Sequence, residues 1–225
     1  MFERLLSTLQ SIAYTLPAVL ISLMVHEVSH GWVSYKLGDP TAKQAGRLNL
    51  NPMKHLDLVG TLCMVFFKFG WAKPVPINPA FYKNKKGGII LVSVAGPLSN
   101  LLLAFISLFL MNAIKAVVLA FGGISSVALA TVLQVVMQFL MVMVSVNITF
   151  AVFNLLPISP LDGSKILYTF LPDRIYYKIL QYEQYGMIVL IALVWLGWLD
   201  APLNFLVNHV YGALAYLAKL LSFWM

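Results

Sequence analysis

One stretch of the sequence decides how the rest of the chain is interpreted: residues 24–31, which read Met-Val-His-Glu-Val-Ser-His-Gly and lie inside the first long apolar run. Two residues four apart on an α-helix are separated by about 40° around its axis, so His26 and His30 project from one face and can share one metal ion. Glu27 lies near the same face, where its carboxylate can take a proton from a metal-activated water without being a ligand. This is the H-E-x-x-H pattern of zinc sites, and it predicts a metal centre on this helix.

The composition predicts a protein that crosses a membrane several times. Of the 225 residues, 60% are hydrophobic and only 10% are charged, whereas soluble domains contain about 25% charged and 45–50% apolar residues. Ionisable groups are costly at membrane depth, so a glutamate between two histidines in an apolar run indicates a functional site. The single cysteine, Cys63, excludes an internal disulfide.

The apolar runs predict a single all-α membrane domain, residues 1–225, with about five transmembrane helices. At about 1.5 Å per residue, about 20 residues cross a hydrocarbon core of about 30 Å. The predicted spans are the H-E-x-x-H helix at 12–35, two core helices at 88–114 and 127–153, and a C-terminal helical hairpin at 186–223 whose first span is short.

The segment between the first two spans, residues 36–87, is predicted to begin and end on one side of the membrane. Its apolar part, 56–69, is short for a crossing and favours a re-entrant or interfacial element. Residues 70–79 contain three prolines. Because each proline removes an amide donor and extends the residue before it, this part is predicted to be an extended segment or a β-hairpin.

The positive charge predicts an orientation in the membrane. The net charge is +7, and nine of the fifteen basic residues lie within 36–86, with three more in the connector 164–185. They occur in loops between apolar runs, so they indicate cytoplasmic loops and not a nucleic-acid partner. The polar motifs lie at the C-terminal ends of the 12–35 and 127–153 spans. Both of these ends are then near the cytoplasmic face.

A second motif follows the 127–153 span: residues 154–163, Asn-Leu-Leu-Pro-Ile-Ser-Pro-Leu-Asp-Gly. Its prolines break the helix and free backbone carbonyls, which membrane proteins tolerate only where the backbone is buried in protein or lines a cavity. Asp162 is predicted as the third metal ligand, because a catalytic zinc takes three protein ligands and a water. The alternative is that Asp162 caps the helix that follows.

Several other polar residues are weaker candidates. Asn154 is predicted to hold the substrate or the oxyanion, and its alternative role is to bond a carbonyl freed by the prolines. In the stretch Ala-Gly-Pro-Leu-Ser-Asn at 95–100, Asn100 is predicted as a hydrogen-bonding group, while Gly96 and Ser99 can serve helix packing alone. His55-x-Asp57 is a rival metal pair, but a histidine at a loop boundary more often bonds its neighbours.

The pairing of H-E-x-x-H with N-x-x-P-x-x-P-x-D-G in a later span resembles the site-2 protease family of intramembrane zinc metalloproteases, and the 95–100 and 70–79 stretches look like those of its compact bacterial members. The resemblance implies zinc ligands at His26, His30 and Asp162, a catalytic base at Glu27, and a catalytic or substrate role for Asn154. Gly70, Trp71 and Asn100 are further predicted substrate contacts. No PDZ or CBS module is recognised, so regulation by such modules is not expected.

The function predicted on this basis is zinc-dependent hydrolysis of peptide bonds in transmembrane substrates, with one Zn²⁺ per chain, in the lipid bilayer of a bacterial cell. Two alternatives remain open at this point: a membrane protein that binds a metal without hydrolysis, and an inactive scaffold that binds transmembrane helices. Glu27 separates them, because neither alternative needs a carboxylate beside a metal-activated water.

Overall fold

A computed structural model describes residues 2–57, 60, 73–124, 126–172, 174–175, 179 and 181–222. In this part of the chain the architecture is helical and contains no β-strand, which confirms the predicted all-α class. The helices are α1 (Phe2–Lys36), α2 (Thr41–Gln44), α3 (Lys85–Ala120), α4 (Val127–Asn154), α5 (Asp162–Thr169), α6 (Glu183–Trp195) and α7 (Asp200–Ser222).

Three of these helices, α1, α3 and α4, are long and apolar enough to cross a membrane. They contain the predicted spans 12–35, 88–114 and 127–153, and Pro17 lies within α1 without ending it. The helices α6 and α7 meet at a bend of 86° and together count as at most one further span. The predicted number of five spans is therefore not confirmed, since the 13 residues of α6 reach only about 20 Å at 1.5 Å per residue.

Most of the predicted re-entrant element at 56–69, and Gly70 and Trp71 after it, lie outside the described residues. The described end of the 70–79 element, Lys73–Asn78, has no regular secondary structure and leads into a 3₁₀ turn at Pro79–Phe81. A β-hairpin is not confirmed there. Residues 73–78 are called the 73–78 segment below.

The core lies between α3 and α4, with the C-terminal helix α7 packed against both. Its buried side chains are mostly small or medium apolar residues: Ala104, Leu108, Met111, Val144, Ile148, Val152 and Ala218. Because lipid is as apolar as these side chains, close packing rather than release of water favours the association of such helices. This three-helix contact fixes α3 and α4 relative to each other, and α1 packs on the same pair.

The 73–78 segment is attached to the C-terminal end of α1 by a buried carboxylate, that of Asp39. It accepts hydrogen bonds from the Ser34 hydroxyl (2.7 Å), the Asn78 amide (2.7 Å), and the amide (2.9 Å) and hydroxyl of Thr41. Farther back on α1, a Cβ at Gly31 would lie 2.8 Å from a methyl carbon of Val75. The segment therefore lies directly against the helix that carries the H-E-x-x-H motif.

Replacing Asp39 with asparagine is expected to loosen this attachment. Burial raises the pKa of Asp39, but hydrogen bonds from Thr41, Asn78 and Ser34 stabilise the carboxylate and leave the pKa below its ordinary value. Losing one such charge-assisted bond costs about 1.5–3 kcal/mol, so exchange of the Asn78 amide should speed up roughly 10- to 150-fold. Hydrogen–deuterium exchange of the purified protein measures this rate.

The sign of the pH dependence follows from the lowered pKa of Asp39. The stabilisation that the Asp39 carboxylate gives to the folded state is complete above its unfolded pKa of about 3.9. It is lost as the pH falls through the lower pKa of the folded state. The asparagine variant should lack this loss of protection below about pH 4. The control is Asn84→Ala, which removes the oxygen that accepts a hydrogen bond from the Gly87 amide, a contact that does not involve Asp39. Equal exchange at Asn78 in the wild type and the Asp39 variant would show that the carboxylate does not hold the segment.

Candidate metal centre

Three side chains from distant parts of the sequence meet in the interior: His26 and His30 of α1 and Asp162, the first residue of α5. Nε2 of His26 and Nε2 of His30 are 3.0 Å apart, and they lie 3.1 and 3.0 Å from Oδ2 of Asp162. All three are buried. Within the described residues, this is the group of side chains that could hold a metal ion. Tetrahedral zinc with bonds of about 2.0–2.1 Å would set its ligands about 3.3 Å apart, so a small expansion accommodates the ion.

The other nitrogen of each imidazole bonds to an acceptor. Nδ1 of His26 lies 2.7 Å from Oδ1 of Asn100, and Nδ1 of His30 lies 2.6 Å from the Val92 carbonyl oxygen. Because these oxygens only accept, Nδ1 of each histidine is the donor, and a neutral imidazole then has its lone pair on Nε2, which faces Asp162 and the other histidine. This is the tautomer that a metal needs.

Gly96 of α3 forms the wall of the site opposite the imidazoles. A Cβ at this position would lie 2.4 Å from Nε2 of His30 and 2.6 Å from Nε2 of His26. A larger residue here would displace the two rings from these positions. The sequence suggested helix packing as one role for Gly96, and the structure shows that the imidazoles of His26 and His30 are what pack against it.

Asp162 uses its two carboxylate oxygens differently. Oδ2 faces the histidines, and Oδ1 accepts a hydrogen bond from Nζ of Lys165 at 3.0 Å. The N-cap position of α5 is taken by Leu161, and no side-chain cap bond forms. The alternative role of Asp162 as a helix cap is thus not what the structure has.

The 73–78 segment holds the Glu27 carboxylate by a backbone hydrogen bond. Its Oε2 accepts a hydrogen bond from the Val75 amide at 2.9 Å. The sequence could not reveal this contact, because a backbone amide has no residue-type signature. It places the carboxylate between α1 and the segment, next in sequence to His26.

Asn100 and Asn154 occupy different settings. Asn100 is fully buried, and besides His26 it bonds Oδ1 of Asn147 (2.8 Å) and the Ser22 carbonyl (3.2 Å). Its amide is thereby used inside the protein, which points to positioning of His26 instead of the predicted substrate contact. Asn154 is half-buried, and its amide donates to the Phe150 carbonyl within α4 at 3.0 Å.

The rival pair His55-x-Asp57 does not belong to the cluster. Nε2 of His55 bonds the Asn49 carbonyl oxygen at 2.9 Å, and Oδ1 of Asp57 accepts from the Gly60 amide at 2.8 Å. Both groups serve the loop that contains them. Asn147 and Lys165, by contrast, were not identified from the sequence, although a polar residue such as Asn147 in an apolar span is the kind of signal that could have found it.

Comparisons with known proteins agree with this geometry. The family described as Peptidase family M50 matches residues 14–197. The protein named "Putative zinc metalloprotease YwhC" of Bacillus subtilis is 42% identical over 180 residues, which cover 80% of this chain and 79% of that protein. Proteins named "Putative zinc metalloprotease Rip2" are also similar. The one from Mycobacterium tuberculosis strain H37Rv is 30% identical over 83% of this chain and 70% of its own length. The one from Mycolicibacterium smegmatis is 27% identical over 78% and 64%. No solved structure matches the chain.

Proposed function

The chain belongs to peptidase family M50, and from this premise we propose that it is an intramembrane zinc metalloprotease that hydrolyses peptide bonds of transmembrane substrates. The observation that carries the proposal is the set of two imidazole nitrogens of α1 and one carboxylate oxygen of α5, all within 3.1 Å of one another, with Glu27 next to His26 in α1. Three nitrogen and oxygen ligands with one open position are the donor set of catalytic zinc. One ion per chain is expected.

Each residue of the site has its own role in this reaction. His26, His30 and Asp162 would hold the zinc, which when bound polarises a peptide carbonyl and lowers the pKa of a water to about 7. Glu27 takes the proton from the attacking water and passes it to the leaving amine. The Val75 amide, 2.9 Å from Oε2 of Glu27, holds the carboxylate in place for this role. Asn154 is proposed to contact the substrate once one is bound.

The orientation of the protein in the membrane is proposed from the distribution of its basic residues. The basic segment 36–87 and the connector 164–185 face the cytoplasm by the positive-inside rule. The metal centre, at the cytoplasmic ends of α1 and α4, is then near that face. The relatives come from bacteria, and we infer a bacterial cell membrane for this chain. We also propose that the chain crosses the membrane five times.

A substrate helix must unwind before it can react, because its carbonyls are bonded within the helix. The 73–78 segment lies beside Glu27 and could bond an unwound strand by β-addition. Pro74 and Pro76 lack amide protons, so at these positions the segment offers acceptors only.

Gly-Pro near the scissile bond of a membrane-spanning substrate is therefore expected to speed its cleavage. A proline inside a helix costs about 3 kcal/mol, so the gain can reach about 100-fold where unwinding limits the rate. Purified protein in liposomes, with products identified by mass spectrometry, provides the test of both the rate and the function. The control carries Gly-Pro one helical turn outside the membrane region.

Cleavage within the membrane-spanning region that stops with a chelator supports the proposal. Bound zinc without hydrolysis of any membrane-spanning substrate would instead favour the metal-binding protein that lacks hydrolytic activity.

A further inference from the structure

We propose that Asn147 of α4 is a positioning residue of the metal centre: it fixes the orientation of the Asn100 amide and, through it, the tautomer of His26. The proposal rests on the metal site of the proposed function but not on proteolysis. Nothing in the sequence motifs includes Asn147, which lies in α4 seven residues before the second motif begins.

The observation is a continuous row of hydrogen bonds across three helices. Nδ1 of His26 on α1 meets Oδ1 of Asn100 on α3 at 2.7 Å, and Nδ2 of Asn100 donates to Oδ1 of Asn147 at 2.8 Å. Nδ2 of Asn147 in turn donates to the Met143 carbonyl oxygen at 2.8 Å. Both asparagines are completely buried.

The direction of the row is set by the groups at its ends. A side-chain amide can turn by 180° and exchange its oxygen for its nitrogen, so each asparagine alone has two orientations. A backbone carbonyl only accepts. The Met143 carbonyl therefore requires the nitrogen of Asn147, which turns its oxygen to Asn100, and Asn100 must then present its own oxygen to His26.

The orientation of Asn100 decides whether Nε2 of His26 can bind a metal ion. An oxygen facing Nδ1 of His26 requires the proton on that nitrogen and leaves the lone pair on Nε2, where Asp162 and His30 are. A flipped Asn100 would present donors instead, favour the opposite tautomer, and place the proton of His26 where the ion has to bind.

The two histidines differ in how this orientation is maintained. His30 bonds the Val92 carbonyl, which α3 itself holds in place. His26 depends on a side chain that has to be oriented by others. The Ser22 carbonyl, 3.2 Å from Nδ2 of Asn100, supports the same orientation at a longer distance. Loss of Asn147 should hence weaken the site without abolishing it.

The test uses the full-length protein, with Zn²⁺ and Co²⁺ as probes. Asn147→Leu is expected to lower zinc affinity about 10-fold, the lower end of what removal of such supporting partners costs, and to alter the visible spectrum of bound Co²⁺. In metal-free protein labelled with ¹⁵N-histidine, which has only four histidines, His26 should change from the Nδ1–H form to a mixture of tautomers. Asn147→Ala serves if the leucine variant does not fold.

Two further variants separate orientation from packing. Asn147→Asp should stay within about threefold of the wild type, because a buried carboxyl keeps its proton and still offers one donor and one acceptor. Ser107→Ala removes a buried hydroxyl that donates to Leu103 in the same helix, so it should change neither affinity nor tautomer.

The proposal is overturned if Asn147→Leu keeps the zinc affinity and the His26 tautomer of the wild type. It is equally overturned if Ser107→Ala has the same effect as Asn147→Leu. A wild-type protein that binds no zinc would refute the proposed function instead, and the tautomer comparison would still decide whether Asn147 orients His26.

Discussion

Replacing Glu27 with glutamine is expected to leave zinc bound and to lower turnover about 10²- to 10⁴-fold, the usual contribution of a general base. Glutamine has the same shape, and its carbonyl oxygen can still accept from the Val75 amide, which in the wild type lies 2.9 Å from Oε2. Glu27 is not among the three side chains that could hold the ion. The variant therefore loses only the ability to take a proton.

The measurement pairs metal content with turnover in one preparation, using a short unstructured peptide so that unwinding does not limit the rate. The matched control is Asp200→Asn, which neutralises an exposed carboxylate at the start of α7 and should retain full activity. Unchanged turnover in the Glu27 variant would rule out its role as the base. Loss of zinc would show that Glu27 supports the site structurally.

The second large effect is expected from Gly96→Ala, which should bind little or no zinc while remaining folded. Its Cβ would lie 2.4 Å from Nε2 of His30 and 2.6 Å from Nε2 of His26, distances that force the rings apart. Alanine favours a helix by about 1 kcal/mol over glycine, so α3 itself should not suffer. Zinc content and thermal unfolding, measured together, distinguish a lost site from a lost fold.

Gly212→Ala provides the control for this change, since it adds the same methyl group to α7 at a position where the added carbon meets open space. It should bind zinc as the wild type does. If Gly96→Ala also retained wild-type zinc affinity, the ion would have to lie elsewhere than between these imidazoles.

The sequence is most informative where one helix supplies the geometry. The positions of His26, Glu27 and His30 follow from the helical period alone, and proline breaks in a membrane segment pointed to Asp162. The structure then brings Asp162 to the two histidines, although it lies 132 positions after His30 and 136 after His26. Besides the proline breaks, the ligand count of zinc identified Asp162 beforehand.

Contacts between distant segments could not be predicted. The Val75 amide on Glu27 has no signature in residue type, and the row from Asn147 to His26 depends on the relative rotation of three helices. Gly96 was identified as a site of close approach, but its neighbour was not. The span count was not confirmed, because apolar runs give length but not direction, and α6 and α7 bend by 86° where the sequence indicated two separate crossings.

The central claim is that one zinc ion, held by His26, His30 and Asp162, is required for peptide hydrolysis. The most direct measurement removes the metal with a chelator and returns zinc stepwise while activity and bound zinc are both recorded. Activity should vanish on removal and return in proportion to bound zinc, reaching a plateau at one ion per chain, and His26→Ala should neither bind that ion nor recover. Hydrolysis that persists at full rate in zinc-free protein would contradict the claim.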